Sequence, residues 1–164
     1  MSRRLPITPD EVLREFARST DADLGRLLAS ASHAINTALM TRLARAGHSA
    51  IRPSHVAVFT GLEPGGTQIS TLAQRAGISR QALSAVVREV EALGYVRTSP
   101  DPHDRRAVRV ELTDTGVAFC LAAIEISREL TREVGERWGA EALDETRSRL
   151  RSLAGDPPVE PRER

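Results

Sequence analysis

The residues best suited to chemistry lie in one polar segment of this chain, residues 99–106. Asp101, His103 and Asp104 could bind a divalent cation or act as an acid/base set, because carboxylates and imidazole do both. Two adjacent arginines belong to the same segment and would repel a cation, while its two prolines favour an exposed loop. We therefore predict an ion-paired loop with no metal, no cofactor and no catalytic residue.

Cys120 is the second candidate, since a thiol can serve as a redox sensor. It stands beside Phe119, Leu121 and Ala122 on the flank of a predicted helix, and buried apolar thiols are usually inert. We predict that Cys120 packs in the protein and leave redox sensing as the alternative. A single cysteine excludes an intrachain disulfide, which agrees with a reducing cytoplasm.

A third group of polar side chains repeats with helical spacing and could bind nucleic acid. Gln81, Ser84 and Arg88 fall on one face of a predicted helix, and they are types that hydrogen-bond base edges or phosphates. Ser79 suits an N-cap, which leaves free N–H groups at a positive helix end, with Arg80 next to it. We predict that these five residues contact DNA. The alternative is an ordinary amphipathic helix with a solvated face.

The opposite face of the same helix is apolar. Its members fall at i, i+3, i+4, i+7 and i+10, which makes one stripe facing a core: Leu83, Val86, Val87, Val90 and Leu93. A shorter helix precedes it and stops at Gly77, and Gly94 closes the second helix. This order predicts a helix-turn-helix.

Beyond the second helix the apolar period changes from helical to alternating. Residues 95–97 leave the helix and residues 107–112 alternate as a half-buried strand does. The loop between the strands places Arg105 and Arg106 at its tip, and arginines there suit a narrow minor groove. The predicted fold is mainly α (α+β), a winged helix-turn-helix with a two-stranded wing.

Two long helical regions flank this part of the chain. Thr8 caps the first region, which stays helix-compatible to about Ala46, and the second begins at Thr113 and is interrupted near Gly135 and Gly139. Their apolar stripes would be partly bare in a monomer, and a large exposed apolar patch usually marks an interface. We predict that both regions are dimerisation arms.

The domain boundaries follow from these elements. We predict an N-terminal dimerisation helix region in residues 8–47 and a winged helix-turn-helix DNA-binding domain in residues 52–112. Residues 113–155 form the C-terminal dimerisation helices, and residues 156–164, rich in proline, form a flexible tail.

Length and charge agree with this organisation. The chain has 164 residues and a formal net charge of +1, which suits one domain or one domain with an extension for oligomerisation. A nucleic-acid surface must come from the distribution of charge, because the whole-chain charge provides none. No apolar run approaches the roughly 18 residues of a membrane span, and residues 1–9 lack the apolar core of a signal peptide. We expect a cytoplasmic protein without a membrane partner.

The segment from Arg52 to Gly116 resembles the MarR family of transcription regulators. The motifs that carry the resemblance are Pro53-Ser54, Ile69-Ser70-Thr71-Leu72-Ala73, Gly77-Ile78-Ser79, Val90-Glu91-x-Leu93-Gly94-Tyr95-Val96, Asp101-x-x-Asp104-x-Arg106 and Leu112-Thr113-x-x-Gly116. The wing motif is fairly specific to the family, whereas the helix-turn-helix motifs occur in many regulators.

The resemblance implies roles for particular residues. Asp104, with Asp101, would position Arg106 at the wing tip, and the polar face of the second helix would lie in the major groove. The protein would be a homodimer. Members of the family commonly bind small aromatic or lipophilic effectors in a cleft beside the DNA-binding part. The residues that could line such a cleft here are His33, His55, Phe59 and Trp138, although such residues more often belong to ordinary packing or to the surface.

The function we predict is a homodimeric, DNA-binding transcription regulator, more specifically a repressor, that binds a pseudo-palindromic operator on double-stranded DNA. One alternative is a winged-helix module for protein interaction, which a solvent face rich in acids or apolar groups would favour. A second alternative is a small hydrolase, which needs a nucleophile beside a base, and no such motif occurs.

Overall fold

The computed structural model describes residues 8–20, 23–102, 104 and 106–155. They form two compact units, which divide between Ala38 and Leu39. The predicted tail, residues 156–164, lies outside the described residues.

The N-terminal helices are α1 (Pro9–Thr20) and α2 (Leu24–Leu43). The predicted cap of α1 is confirmed: the Thr8 amide donates to Glu11 Oε2 over 2.9 Å, and Thr8 Oγ1 accepts the Glu11 amide over 3.3 Å. The region that was predicted to be helix-compatible to about residue 46 contains two α-helices. Asp23 accepts the Arg26 amide over 3.0 Å and so begins a second helix.

Three short helices follow in the second unit: α3 (Val56–Gly61), preceded by one 3₁₀ turn at Pro53–His55, then α4 (Ile69–Ala76) and α5 (Arg80–Ala92). Gly77 ends α4 in the left-handed conformation, with φ of 66°. Two residues later Ser79 Oγ accepts the Ala82 amide over 3.1 Å and caps α5. The predicted helix-turn-helix is therefore present.

The sheet has three antiparallel strands, β1 (Thr67–Gln68), β2 (Val96–Pro100) and β3 (Val108–Leu112), in the order β1-β3-β2. Strands β2 and β3 form the predicted hairpin, with Thr98 opposite Val110. The sequence analysis missed β1, which pairs Thr67 with Val110, because two residues are too short to show a period.

Two helices complete the second unit, α6 (Asp114–Trp138) and α7 (Ala140–Ala154). Thr113 caps α6, as predicted, since its Oγ1 accepts the Gly116 amide over 3.1 Å. The predicted interruption near Gly135 is wrong, because α6 continues through it; one glycine costs a helix only about 1 kcal/mol. The break falls at Gly139, whose φ of 85° and ψ of 151° suit glycine.

The core lies in the second unit, beneath α5 and the sheet. Leu83, Val87 and Val90 of α5 are buried and Val86 packs against them, so most of the predicted stripe is confirmed. Leu93 is the exception at 39% exposed, since it lies at the end of the helix. The other buried apolar members are Leu43, Ile51, Val58, Ile69, Leu72, Ala73, Tyr95, Val96, Val110, Phe119 and Ile126.

Candidate nucleic-acid interface

The polar face of α5 is open to solvent at its N-terminal end. Ser79, Arg80, Gln81 and Arg88 are exposed, and Ser84 is half-buried. The Ser84 hydroxyl donates to the Arg80 carbonyl over 2.7 Å, so its oxygen remains available only as an acceptor. This face of α5 therefore offers free amide groups at its N-terminal end, one carboxamide and two guanidinium groups.

The arginines that the structure describes within residues 51–112 divide into two groups by their partners. Those that face a carboxylate are Arg52 with Glu89, Arg75 with Glu63, Arg97 with Glu111 and Arg109 with Asp101. Arg80, Arg88 and Arg106 form no ion pair with any residue that the structure describes. These three lie on α5 and in the hairpin loop, the two places that the sequence analysis assigned to DNA. Their charge is therefore available to an external anion.

Asp101 organises the base of the wing. Its carboxylate is buried, with the residue 3% exposed, and it accepts the Asp104 amide and Gln68 Nε2, each over 3.2 Å. Arg109 Nε lies 3.8 Å from the same carboxylate. The wing is thus held to β1, a connection that the sequence analysis missed together with that strand.

Asp104 contacts the backbone of the wing tip. Its Oδ1 accepts the Arg106 amide over 3.0 Å, and its carbonyl accepts the Ala107 amide over 2.8 Å. The contact therefore fixes the backbone at Arg106, whose side chain is exposed. His103 and Arg105, the latter a predicted DNA contact, lie outside the described residues.

Two acids near the end of α5 have partners that periodicity did not indicate. Glu91 Oε1 accepts both the amide and the hydroxyl of Thr98 on β2, over 2.6 and 2.8 Å. Glu89 accepts His55 Nε2 over 3.1 Å and also the Arg52 guanidinium. The hydrogen bond from His55, followed by the charge of Arg52, holds the pKa of Glu89 below its usual range. The one feature of the sequence that pointed towards a structural role for these two acids was the absence of acids from the first two turns of α5.

The four residues considered for an effector have different surroundings. His33 is exposed on α2, in the first unit, whereas His55 is buried and bonded to Glu89. Phe59 packs on Phe119 with 4.4 Å between ring centroids, and Trp138 is 55% exposed at the end of α6. Within the second unit, a cleft of about 500 Å³ includes Phe59 but neither His55 nor Trp138.

This cleft combines apolar and charged groups. It is lined by Phe59, Leu62 and Leu112, by the paired Arg97 and Glu111, and by Cys120. Burial raises the pKa of the Cys120 thiol, which disfavours the reactive thiolate at neutral pH.

The described part of the chain contains neither a metal-binding cluster nor a membrane-spanning helix. There, no group of three or more His, Cys, Asp or Glu side chains could hold a metal ion. Within the described ranges, no helix is long and apolar enough to cross a membrane.

The helix-turn-helix and the first strand of the hairpin match a known family in sequence. Residues 51–107 match the sequence profile of the MarR family. Over these residues the chain is similar to the MarR family of transcription regulators. The family and its named relatives are regulators and not enzymes.

Two regulators and one solved structure indicate how far the similarity extends. The HTH-type transcriptional regulator TtmR of Methylorubrum extorquens is 28% identical over 103 residues, 63% of this chain and 52% of that protein. The HTH-type transcriptional repressor NicR of Pseudomonas putida is 35% identical over 60 residues, 37% of this chain and 38% of that one. The chain thus spans about half or less of the relatives it matches.

The solved structure is that of a mutant MarR from E. coli complexed with operator DNA. Its TM-score is 0.68 at 21% identity, and the alignment covers 80% of this chain and 94% of that one. At this identity the similarity concerns the fold.

Proposed function

We propose that this protein is a sequence-specific DNA-binding repressor of transcription. Helix α5, hereafter the recognition helix, enters the major groove, and the loop between β2 and β3, hereafter the wing tip, enters the adjacent minor groove. The observation that carries the proposal is the division of the arginines: Arg80, Arg88 and Arg106 are exposed and lack an acidic partner among the described residues, whereas the arginines elsewhere in the winged helix are paired.

The individual contacts follow from the chemistry of each group. The capped N-terminus of the recognition helix, at Ser79, directs amide groups and a positive dipole end towards a phosphate. Gln81 and Arg88 can form paired hydrogen bonds with adenine and guanine edges, and Ser84 can accept one from a base amino group. Two similar proteins, the MarR mutant solved in complex with operator DNA and the transcriptional repressor NicR, support the same assignment.

We further propose that the functional unit is a homodimer that binds a pseudo-palindrome. Many large apolar side chains on the flanking helices are exposed in the single chain: Val12, Leu13, Phe16, Leu24, Leu27, Ile35, Val117, Leu121, Ile124, Leu150 and Leu153. Pairing of these faces with a second copy would remove them from water. A two-fold axis would set the two recognition helices about 34–36 Å apart, one turn of DNA.

We also propose an effector site in the second unit. The cleft beside Phe59 is large enough for a small lipophilic or aromatic molecule, and the Arg97–Glu111 pair at its wall offers both a donor and an acceptor. Because Arg97 and Glu111 lie on the two strands of the hairpin, a ligand bound there would displace the wing and release DNA.

The experiment that tests DNA binding is a titration of the purified protein with DNA from upstream of its own gene, repeated at several salt concentrations. We expect specific binding that weakens as salt increases, with a selection on random DNA returning a two-fold symmetric motif. The Arg149→Ala variant controls for charge, since Arg149 lies in an exposed pair with Glu145 on α7. Equal affinity for every sequence tested would contradict the proposal.

A further inference from the structure

A buried histidine connects the recognition helix to the turn before α3. His55 is 1% exposed, its Nε2 lies 3.1 Å from Glu89 Oε2, and its Nδ1 lies 3.2 Å from the Arg52 amide nitrogen. Since a backbone N–H can only donate, Nδ1 accepts, and Nε2 carries the proton that is donated to Glu89. One tautomer of a neutral ring thus satisfies both contacts.

The same carboxylate oxygen receives a second donor. The Arg52 guanidinium also bonds to Glu89 Oε2, and Arg52 Nη2 and His55 Nε2 lie 3.2 Å apart, as expected for two donors that converge on one acceptor. His55 is buried, so its ring has a fixed position in the core, whereas Arg52 and Glu89 are largely exposed. The buried ring is therefore the rigid member of the group.

The position of Glu89 along the recognition helix gives this contact its importance. Successive residues of an α-helix differ by about 100° in direction, so Glu89 faces the turn before α3 while Arg88 faces solvent. Rotation of the helix about its axis would move both residues together. The contact with His55 therefore fixes the direction in which Arg88 points.

We propose that His55 is a positioning residue which, through Glu89, fixes the rotation of the recognition helix and so sets DNA affinity without touching DNA. The inference rests on the proposed DNA-binding function. It assigns to His55 a role different from the effector contact predicted from the sequence.

A purely electrostatic role and a positioning role for Glu89 predict opposite effects of Glu89→Ala on DNA affinity. If Glu89 only placed a negative charge near the phosphates, Glu89→Ala would strengthen DNA binding. If Glu89 holds the helix in place, the same change weakens binding by about tenfold or more, the usual worth of a hydrogen bond to a charged group. Glu145→Ala, which removes an acid from an exposed pair on α7, is the matched control and leaves affinity unchanged.

Two variants of His55 test its role, one that removes its hydrogen bond to Glu89 and one that restores it. His55→Ala lowers affinity as much as Glu89→Ala, and the double variant is no weaker than either single variant, since the two act as one contact. His55→Gln restores binding to within about twofold of the wild type, because the glutamine carboxamide can donate to Glu89 from the position of Nε2.

A measurement without DNA separates positioning from general stability. Hydrogen exchange of the amides of residues 80–92 becomes faster in Glu89→Ala, while exchange in α6 stays close to that of the wild type. Because Glu89 lies at the surface, this variant folds even if His55→Ala does not.

The outcomes distinguish this inference from the proposed function. Failure of the wild-type protein to bind any DNA specifically would overturn the function, and unchanged exchange in residues 80–92 of Glu89→Ala would then overturn the positioning role as well. Specific binding by the wild type, with equal or tighter binding by Glu89→Ala, would overturn the positioning role alone.

Discussion

At the scale of single residues, the partner of each arginine separates structural from binding roles. Arg75, for example, donates to the Gly61 carbonyl over 2.7 Å and pairs with Glu63, so it closes α3. Arg88 and Arg106 have no such contact with a described residue. An exposed guanidinium of this kind does not have to break an ion pair with a described residue before it binds a phosphate or a base edge. We therefore propose a structural role for the first kind and a DNA-binding role for the second.

Arg106→Ala should weaken operator binding by about 1–3 kcal/mol per half-site, through the loss of a minor-groove contact. Fluorescence anisotropy at several salt concentrations measures both the loss and the accompanying change in salt slope. Asp104→Ala should lose nearly as much, because Asp104 holds the Arg106 amide. Wild-type affinity in both variants would show that the wing tip does not touch DNA.

At the scale of elements, local signals were readable from the sequence and distant contacts were not. Gly77, Ser79 and Thr113 set helix boundaries through hydrogen bonds to residues three or four positions away, and these boundaries were predicted correctly. By contrast, β1 forms because Thr67 pairs with Val110 of β3. Glu89 likewise has a hydrogen-bond partner because the fold brings His55, 34 residues earlier in the chain, next to it. Such contacts depend on tertiary pairing, which no local period encodes.

Two glycines of α6 make a matched test of its packing. A methyl group at Gly116 would lie 2.0 Å from the Tyr95 carbonyl oxygen, so Gly116→Ala must push α6 away from the end of the recognition helix. We expect a loss of about 1–3 kcal/mol in the free energy of unfolding, the usual cost of overpacking. At Gly135 the nearest atom, in Leu143, is 3.4 Å away, and Gly135→Ala should stabilise the protein by about 0.4–1 kcal/mol. Urea unfolding that gave the same sign for both variants would contradict this description of α6.

The contact between α2 and α6 predicts a dependence of stability on pH. Arg42 on α2 donates to Glu133 on α6 over 2.7 Å, and this hydrogen bond holds the pKa of Glu133 below its ordinary value of 4.5. A carboxyl whose pKa is lower in the folded state stabilises the protein fully above 4.5 and loses that contribution as the pH falls through the lowered value.

The corresponding experiment compares wild type and Glu133→Gln by urea unfolding across this range. The wild type should be the more stable at pH 7, and the difference should disappear in acid below pH 4.5. Glu136→Gln, which alters an exposed pair with Arg132 within α6, is the control and should have little effect at either pH. A difference that persisted unchanged in acid would exclude Glu133 as its source.

At the scale of the whole molecule, the apolar residues left exposed on the flanking helices favour assembly. A stable dimer needs at least about 1,000 Å² of buried surface, and side chains such as Leu121 and Leu150, at 63% and 44% exposed, supply suitable area. Leu121→Asp should therefore shift the protein towards monomer and lower its affinity for a two-site operator. Sedimentation at micromolar concentration checks the prediction, and a wild-type monomer that bound the operator would refute it.

The threonine at the start of α6 limits how this protein could be divided for engineering. Thr113 Oγ1 donates to the Gly94 carbonyl over 2.6 Å and accepts the Gly116 amide, while the Thr113 amide bonds to the Tyr95 carbonyl. A chimera joined after Leu112 would break these bonds and also remove Phe119 and Ile126 from the core. To graft this winged helix onto another oligomerisation module, the cut should fall beyond Ile126, with the first half of α6 retained as part of the transplanted piece.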